Sequence, residues 1–173
     1  PTVGPFYSTS KIAAEFFCHD YWRIFGQEFT ILRYGTAYGP RMRAPQVIHN
    51  FITKANAGQP ITILGDGSQF RNFVYVEDLA RAHSLALTDK GINQTYNLDG
   101  AAKITIRETA DTIVSLLGRN VKIEHKAARS ESDAGIGASI AKAEAELGWS
   151  PAIGFEEGIR RTIDWYRKIA PPG

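Results

Sequence analysis

Apolar positions along the chain alternate between helical and strand-like spacing. Over residues 6–25, Ile12, Phe16 and Phe17 recur at helical intervals and Gly26 supplies a stop, which predicts an amphipathic helix. Residues 29–34 (Phe-Thr-Ile-Leu-Arg-Tyr) are short, apolar and partly β-branched, as in a buried strand, and Gly35, Gly39 and Pro40 break them into a loop. Between Pro45 and Ala57, Val47, Ile48, Phe51 and Ile52 form one stripe, closed by Gly58. Ile61–Leu64 and Phe70–Val76 flank Gly65-Asp66-Gly67-Ser68, the pattern of a hairpin. A helix over 76–87 and a strand over 95–98 are expected next. Thr105 and Glu108 form a capping-box pattern before a helix ended by Gly118. Residues 121–125 alternate like a strand, Ser139 is placed to cap a short helix ended by Gly148, and a last helix is expected over 155–168, before Pro171 and Pro172.

Strands alternating with helices indicate an α/β protein. Only about two strands read as members of a buried parallel sheet, too few for a doubly wound fold, so the chain is expected to be part of something larger. Its 173 residues, 43% hydrophobic, suffice for a real core. The balance of 20 basic against 18 acidic residues is too even to point to nucleic acid or an anionic membrane. The single cysteine, Cys18, excludes an internal disulfide and suits a reducing, cytoplasmic setting; its helical surroundings suggest a small buried apolar residue. The four histidines lack the close pairings of metal sites, so no metal is expected. No apolar run approaches the ~20 residues of a membrane span.

The chemistry concentrates in Tyr7-Ser8-Thr9-Ser10-Lys11. Tyr and Lys four apart share one helix face. A phenol of ordinary pKa near ~10 is a poor base at neutral pH, and an adjacent cation favours its phenolate, so such a pair is able to take or return a hydroxyl proton. With seven tyrosines in the chain, an isolated match is cheap, and a solvated helix face explains it as well.

Four ordered segments go further. Residues 5–15 (PFYSTSKIAAE), 31–41 (ILRYGTAYGPR), 65–78 (GDGSQFRNFVYVED) and 147–151 (LGWSP), the last followed by Glu156-Glu157-Gly158-Ile159, resemble in this order the extended short-chain dehydrogenases/reductases that act as NAD-dependent sugar-nucleotide epimerases and dehydratases. The resemblance implies the carboxyl-terminal part of a Rossmann-type doubly wound sheet, in residues 1–39 and 74–100. It implies a small α/β substrate-binding domain in residues 40–73 and 101–173.

By that resemblance Tyr7 would transfer the proton, and Lys11 would hydrogen-bond the nicotinamide ribose and tune Tyr7. Tyr34, Gly35 and Thr36 would complete the contacts to NAD (or NADP). Thr36, Tyr38, Arg71 and Arg129 would contact the nucleoside-diphosphate sugar, the arginines at its diphosphate. A hairpin charge in water is the alternative for Arg71. A helix cap is the favoured role for Asp78, core positions for Tyr75, Trp149 and Trp165, and a helix surface explains Gln46 and His49 equally well. The family's active-site helix pairs in a homodimer, and Phe16, Phe17, Tyr21 and Trp22 offer an apolar face for that, or for burial under further strands.

The departures are Thr36 where the family often has Asn, Asn72 where it often has Asp, and Ser130–Asp133 where Gly-Asp commonly follows the loop arginine. No glycine-rich strand-to-helix turn for a pyrophosphate precedes Tyr7, and Gly135-Ile136-Gly137 follows a polar stretch rather than a strand. The family's upstream Ser/Thr, and the Asp-Glu pair of its dehydratases, are likewise not in the sequence. Weak or no NAD binding by this chain alone is therefore expected. A stand-alone sugar-nucleotide module or an inactive association domain remain the alternatives.

Overall fold

The computed structural model describes residues 5–127 and 137–169. Helix α1 (Pro5–Phe25) ends where Gly26, at φ +68°, donates its N–H to the Trp22 carbonyl. Strand β1 (Thr30–Tyr34) follows, then β2 (Thr36–Tyr38), with Gly35 between them. Helix α2 (Val47–Asn56) buries Ile48, Phe51, Ile52 and Ala55, the expected stripe. Strands β3 (Ile61–Leu64) and β4 (Phe70–Tyr75) lead into helix α3 (Val76–Ala86). Strands β5 (Gln94–Leu98) and β6 (Lys103–Thr105) precede helix α4 (Ile106–Leu117), which carries both arms of the Thr105/Glu108 capping box and closes on left-handed Gly118. Strand β7 (Ile123–Lys126), a π-helical turn (Ala143–Leu147) closed by left-handed Gly148, and helix α5 (Phe155–Ile169) complete the order. Ser139 Oγ accepts from the Ala141 N–H, the capping contact its type suggests.

The molecule is mixed α/β with parallel strands. β1 pairs with β5 in parallel, Thr30 opposite Gln94 and Tyr34 opposite Leu98. β4 pairs with β2 in parallel and with β6 antiparallel. β3 pairs in parallel with β7. The hairpin expected around Asp66-Gly67 is therefore absent: β3 and β4 go to different sheets. The turn chemistry is real, since Asp66 Oδ1 accepts from both the N–H and the hydroxyl of Ser68. Such a turn reverses the chain locally without dictating which strands pair. β1 is less buried than its composition suggests, its last two residues being exposed, because its ladder among the described residues runs to β5 alone.

Two cores hold these elements. In one, α2, α4 and α5 pack on β3 and β4 through Ile52, Ile61, Ile63, Ile113, Ile159 and Ile163, with Tyr38, Phe73 and Tyr75 at its centre. The other joins Val74, Leu79, Tyr96 and Leu98 to Leu147 and Trp149 of the carboxyl-terminal segment. Tyr75 and Trp149 are core residues as expected, at 1% and 0% exposed. Trp165 is only half-buried, packed edge-on against Tyr166.

Asp78 is not a helix cap. The cap position is Tyr75, and the Asp78 carboxylate, buried in the first turn of α3, turns away to accept the N–H groups of Ala152 (3.0 Å) and Ile153 (2.9 Å) and a guanidinium N–H of Arg81 (3.0 Å). Trp149 Nε1 donates to the Asp78 carbonyl at 2.8 Å. One buried residue thus pins the segment before α5 onto α3.

Candidate active site

Tyr7 and Lys11 stand on the exposed face of α1, one turn apart, with the Lys11 ammonium 5.3 Å from the centre of the Tyr7 ring. That face looks across to β1 and β2. The two walls enclose a cleft of about 760 Å³ lined by Tyr7, Lys11, Glu15 and Cys18 from α1 and by residues 30–37, with Gln46 at its edge. The expected cofactor set of Tyr7, Lys11, Tyr34, Gly35 and Thr36 therefore meets in one cavity.

The helix is fastened to the strand by a two-pronged ion pair. Arg33 Nε donates to Glu15 Oε1 at 2.7 Å and Arg33 Nη2 to Oε2 at 2.5 Å. The Arg33 guanidinium holds the Glu15 carboxyl below its usual value. Neither residue was singled out in the sequence, although a charge inside an apolar strand (Arg33) was the available signal. Cys18 is half-exposed on the cleft wall rather than buried, because α1 faces the β1 strand across a gap there.

Tyr34 reaches out of the strand to α3. Its hydroxyl lies 2.6 Å from His83 Nε2, and His83 Nδ1 lies 2.8 Å from the Leu79 carbonyl. A carbonyl accepts only, so Nδ1 carries the proton, Nε2 accepts, and Tyr34 donates. Partial burial raises the Tyr34 phenol, which keeps it the donor.

Gly35 is required by close approach. A Cβ there would lie 1.8 Å from Asp99 Oδ1. Asp99 is buried, its carboxylate accepting the N–H groups of Gly100 (2.9 Å) and Ala138 (2.8 Å). Gly35 also donates its own N–H to the Leu98 carbonyl at 2.8 Å. Sequence reasoning passed over Asp99, since nothing in its neighbourhood announces a contact 64 residues away.

Tyr38 lies deeper than the other described residues of the expected site. It was expected to border the substrate, but it is 2% exposed, its ring edge-on to Phe73 and Tyr75 and its hydroxyl donating to the Phe155 carbonyl at 3.2 Å. Thr36 and Tyr38, two apart on β2, share one strand face and both border one small depression. Tyr38 lies further along, packed among Phe73, Tyr75 and Phe155, where burial pushes its phenol far up. Gly158 makes room for it, because a Cβ there would lie 2.0 Å from the Tyr38 hydroxyl.

Arg71, on β4, is half-buried and donates from Nη1 to the Phe70 carbonyl at 2.8 Å. It lines a separate depression of about 320 Å³. Between that depression and the cleft lies a third, of about 260 Å³, which shares Thr36 and Gln46 with the first and Val47 with the second. His49 is committed elsewhere, its Nδ1 against the Tyr166 hydroxyl. Arg129, the second expected diphosphate contact, lies outside the described residues. Among the described residues no cluster of ligating side chains could hold a metal ion, and no helix is long and apolar enough to cross a membrane.

A family profile described as "NAD dependent epimerase/dehydratase family" matches residues 4–99. The chain belongs to this family. It is 33% identical to a UDP-glucuronate 4-epimerase of Thermodesulfobacterium geofontis over 94% of this chain and 50% of that protein. A dTDP-glucose 4,6-dehydratase of Neisseria gonorrhoeae is 34% identical, over 92% of this chain and 50% of that one. The fold superposes with a TM-score of 0.86 and 30% identity on a Bacillus cereus UDP-glucuronic acid 4-epimerase solved with UDP-glucuronic acid and NAD, over 94% of this chain and 52% of the other. The chain thus spans about half the length of the curated relatives it matches. An epimerase and a dehydratase match equally well, so the likeness selects the family and not the reaction.

The family is NAD-dependent, and the cleft fits one end of that cofactor. A phenol and an ammonium on one wall and a glycine-centred backbone on the other suit a ribose with its nicotinamide, and Ala14, Ile31, Leu32 and Ala37 give the cleft an apolar lining. Among the described residues no glycine-rich strand-to-helix turn offers N–H groups to the pyrophosphate.

Proposed function

We propose that this chain supplies the proton-transfer helix and the sugar-nucleotide pocket of an NAD-dependent epimerase or dehydratase acting on a nucleoside-diphosphate sugar. The observation that carries this is the single cleft in which Tyr7 and Lys11 face Tyr34, Gly35 and Thr36. Tyr7 takes the proton of a sugar hydroxyl and later returns it, while Lys11, one helical turn away, favours the charged phenolate and offers N–H groups to a ribose. A bound nicotinamide would supply the hydride exchange at the same sugar carbon. Thr36 contributes a hydroxyl at the sugar end, and Arg71, reached through the intermediate depression, a guanidinium fork for the diphosphate.

Calorimetric titration of the chain with UDP-glucose, UDP-glucuronic acid and dTDP-glucose tests the pocket. Saturable binding of at least one, lost in Arg71→Ala with the fold intact, is expected; no binding of any would overturn the substrate assignment. NAD alone is expected to bind weakly or not at all, and micromolar NAD affinity would contradict that part of the reading.

The reading includes a homodimer through α1. Phe16, Phe17, Tyr21 and Trp22 are 65%, 64%, 54% and 43% exposed, an apolar face of the kind that marks an interface. Sedimentation velocity is expected to show a dimer that Phe17→Glu dissociates; a well-behaved wild-type monomer at micromolar concentration would argue against it.

A further inference from the structure

Lys11 and Glu15 sit four residues apart on α1, so an ammonium and a carboxylate project from successive turns of one helix face into the cleft. Opposite charges at this spacing attract, and a bond between them would draw the ammonium away from Tyr7. The structure shows a different arrangement. The Lys11 ammonium lies 5.3 Å from the centre of the Tyr7 ring, whereas both oxygens of Glu15 accept from Arg33 on β1, at 2.7 and 2.5 Å. That fork fixes the plane of the half-buried carboxylate, turns it toward the strand and offsets its charge.

Arg33 is the one charged residue of its strand, Thr-Ile-Leu-Arg-Tyr, and the parallel ladder to β5 needs no charge there. Leu32 packs into the second core and Tyr34 reaches α3, so strand alternation aims Arg33 at α1. An ion pair this exposed contributes little to stability. We propose that Arg33 is a positioning residue for the Tyr7/Lys11 pair: by engaging Glu15 through both oxygens, it keeps the Lys11 ammonium for the Tyr7 phenol. Glu15 is thereby turned from a competitor for Lys11 into an anchor of α1. The inference rests on the proton-transfer reading of Tyr7 above and adds to it a residue on a different element. Among the described residues the charged groups lining the cleft are Lys11, Glu15 and Arg33, and its other titratable groups are Cys18 and the phenols of Tyr7 and Tyr34. His19, on the next turn, lies edge-on to Phe29.

An NMR titration of the Tyr7 phenol tests it, with isotope-labelled tyrosine Cζ signals, the Tyr7 signal assigned by its loss in Tyr7→Phe, and circular dichroism checking each variant's fold. Arg33→Ala releases Glu15 to Lys11, and the Tyr7 midpoint is expected to rise by about half a pH unit, roughly threefold less phenolate at a given pH. Arg33→Ala/Glu15→Gln removes the competitor as well, and should return the midpoint to within about 0.2 pH units of wild type. A midpoint in Arg33→Ala that stays within about 0.2 units of wild type would overturn the proposal. So would a double variant shifted as far as Arg33→Ala, which would assign the effect to the lost guanidinium itself or to a loosened helix. Lys11→Met should also raise the midpoint. A Lys11→Met midpoint equal to wild type would overturn the Tyr7/Lys11 coupling on which the proton-transfer reading stands, a result distinct from the others.

Discussion

Replacing Asp78 by asparagine removes one charge at a joint that links α3 to the segment before α5. The carboxylate is 2% exposed and accepts two backbone N–H groups and one guanidinium N–H. Asparagine is nearly isosteric, but its single carbonyl oxygen can keep only one of the two backbone donors. The other then faces the new NH2 group, donor against donor, in a place water does not reach. Hydrogen bonds to a charged partner contribute about 1.5–3 kcal/mol and a stranded buried donor costs about 1–3 kcal/mol. The Arg81 arm adds little, because that side chain is 41% exposed and solvent screens the pair. The expected loss is about 2–4 kcal/mol, a large part of the stability of a domain of this size. Urea unfolding followed by circular dichroism and tryptophan fluorescence measures it as a lowered midpoint at unchanged slope. Trp149, bonded to the Asp78 carbonyl and fully buried, reports the same joint. A loss below about 1 kcal/mol would refute the reasoning. An equal loss in Arg81→Ala would refute it differently, by showing that the ion pair and not the two backbone bonds carries the joint.

Gly35→Ala is expected to destabilise by about 2 kcal/mol, because the new methyl group meets Asp99 Oδ1 at 1.8 Å and the strand or the carboxylate must shift. The same urea titration checks it, and unaltered stability would show that the approach of Asp99 is not tight. Glu15→Gln probes the α1–β1 ion pair. The folded carboxyl lies below its ordinary value of 4.5, so the pair's contribution is complete above that pH and disappears as pH falls through the lowered value. With Arg33 54% exposed, about 0.5–1 kcal/mol is expected at neutral pH, and the gap between wild type and variant should close on acidification. A gap that stays constant from pH 7 to pH 3 would assign the effect to packing.

Local chemistry made much of this protein legible in the sequence. The stripe of α2, the capping box of α4 and the glycine stops after α1 and α4 follow from periodicity, hydrogen-bonding side chains and backbone freedom, all of which act within a few residues. So does the Tyr7/Lys11 pair, because four residues of helix suffice to put both groups on one face. Tertiary structure decided what depends on distant partners. The Asp66-Gly67 turn looked like a hairpin, but β3 found β7 and β4 found β2, since pairing is fixed by which faces must be buried together. Tyr38 and Thr36 look equally suited to a substrate until packing of Phe73, Tyr75 and Phe155 around Tyr38 buries it while Thr36 stays at the cleft. Asp78 reads as a helix cap from its neighbours, and only contacts across 74 and 75 residues show that it serves another segment.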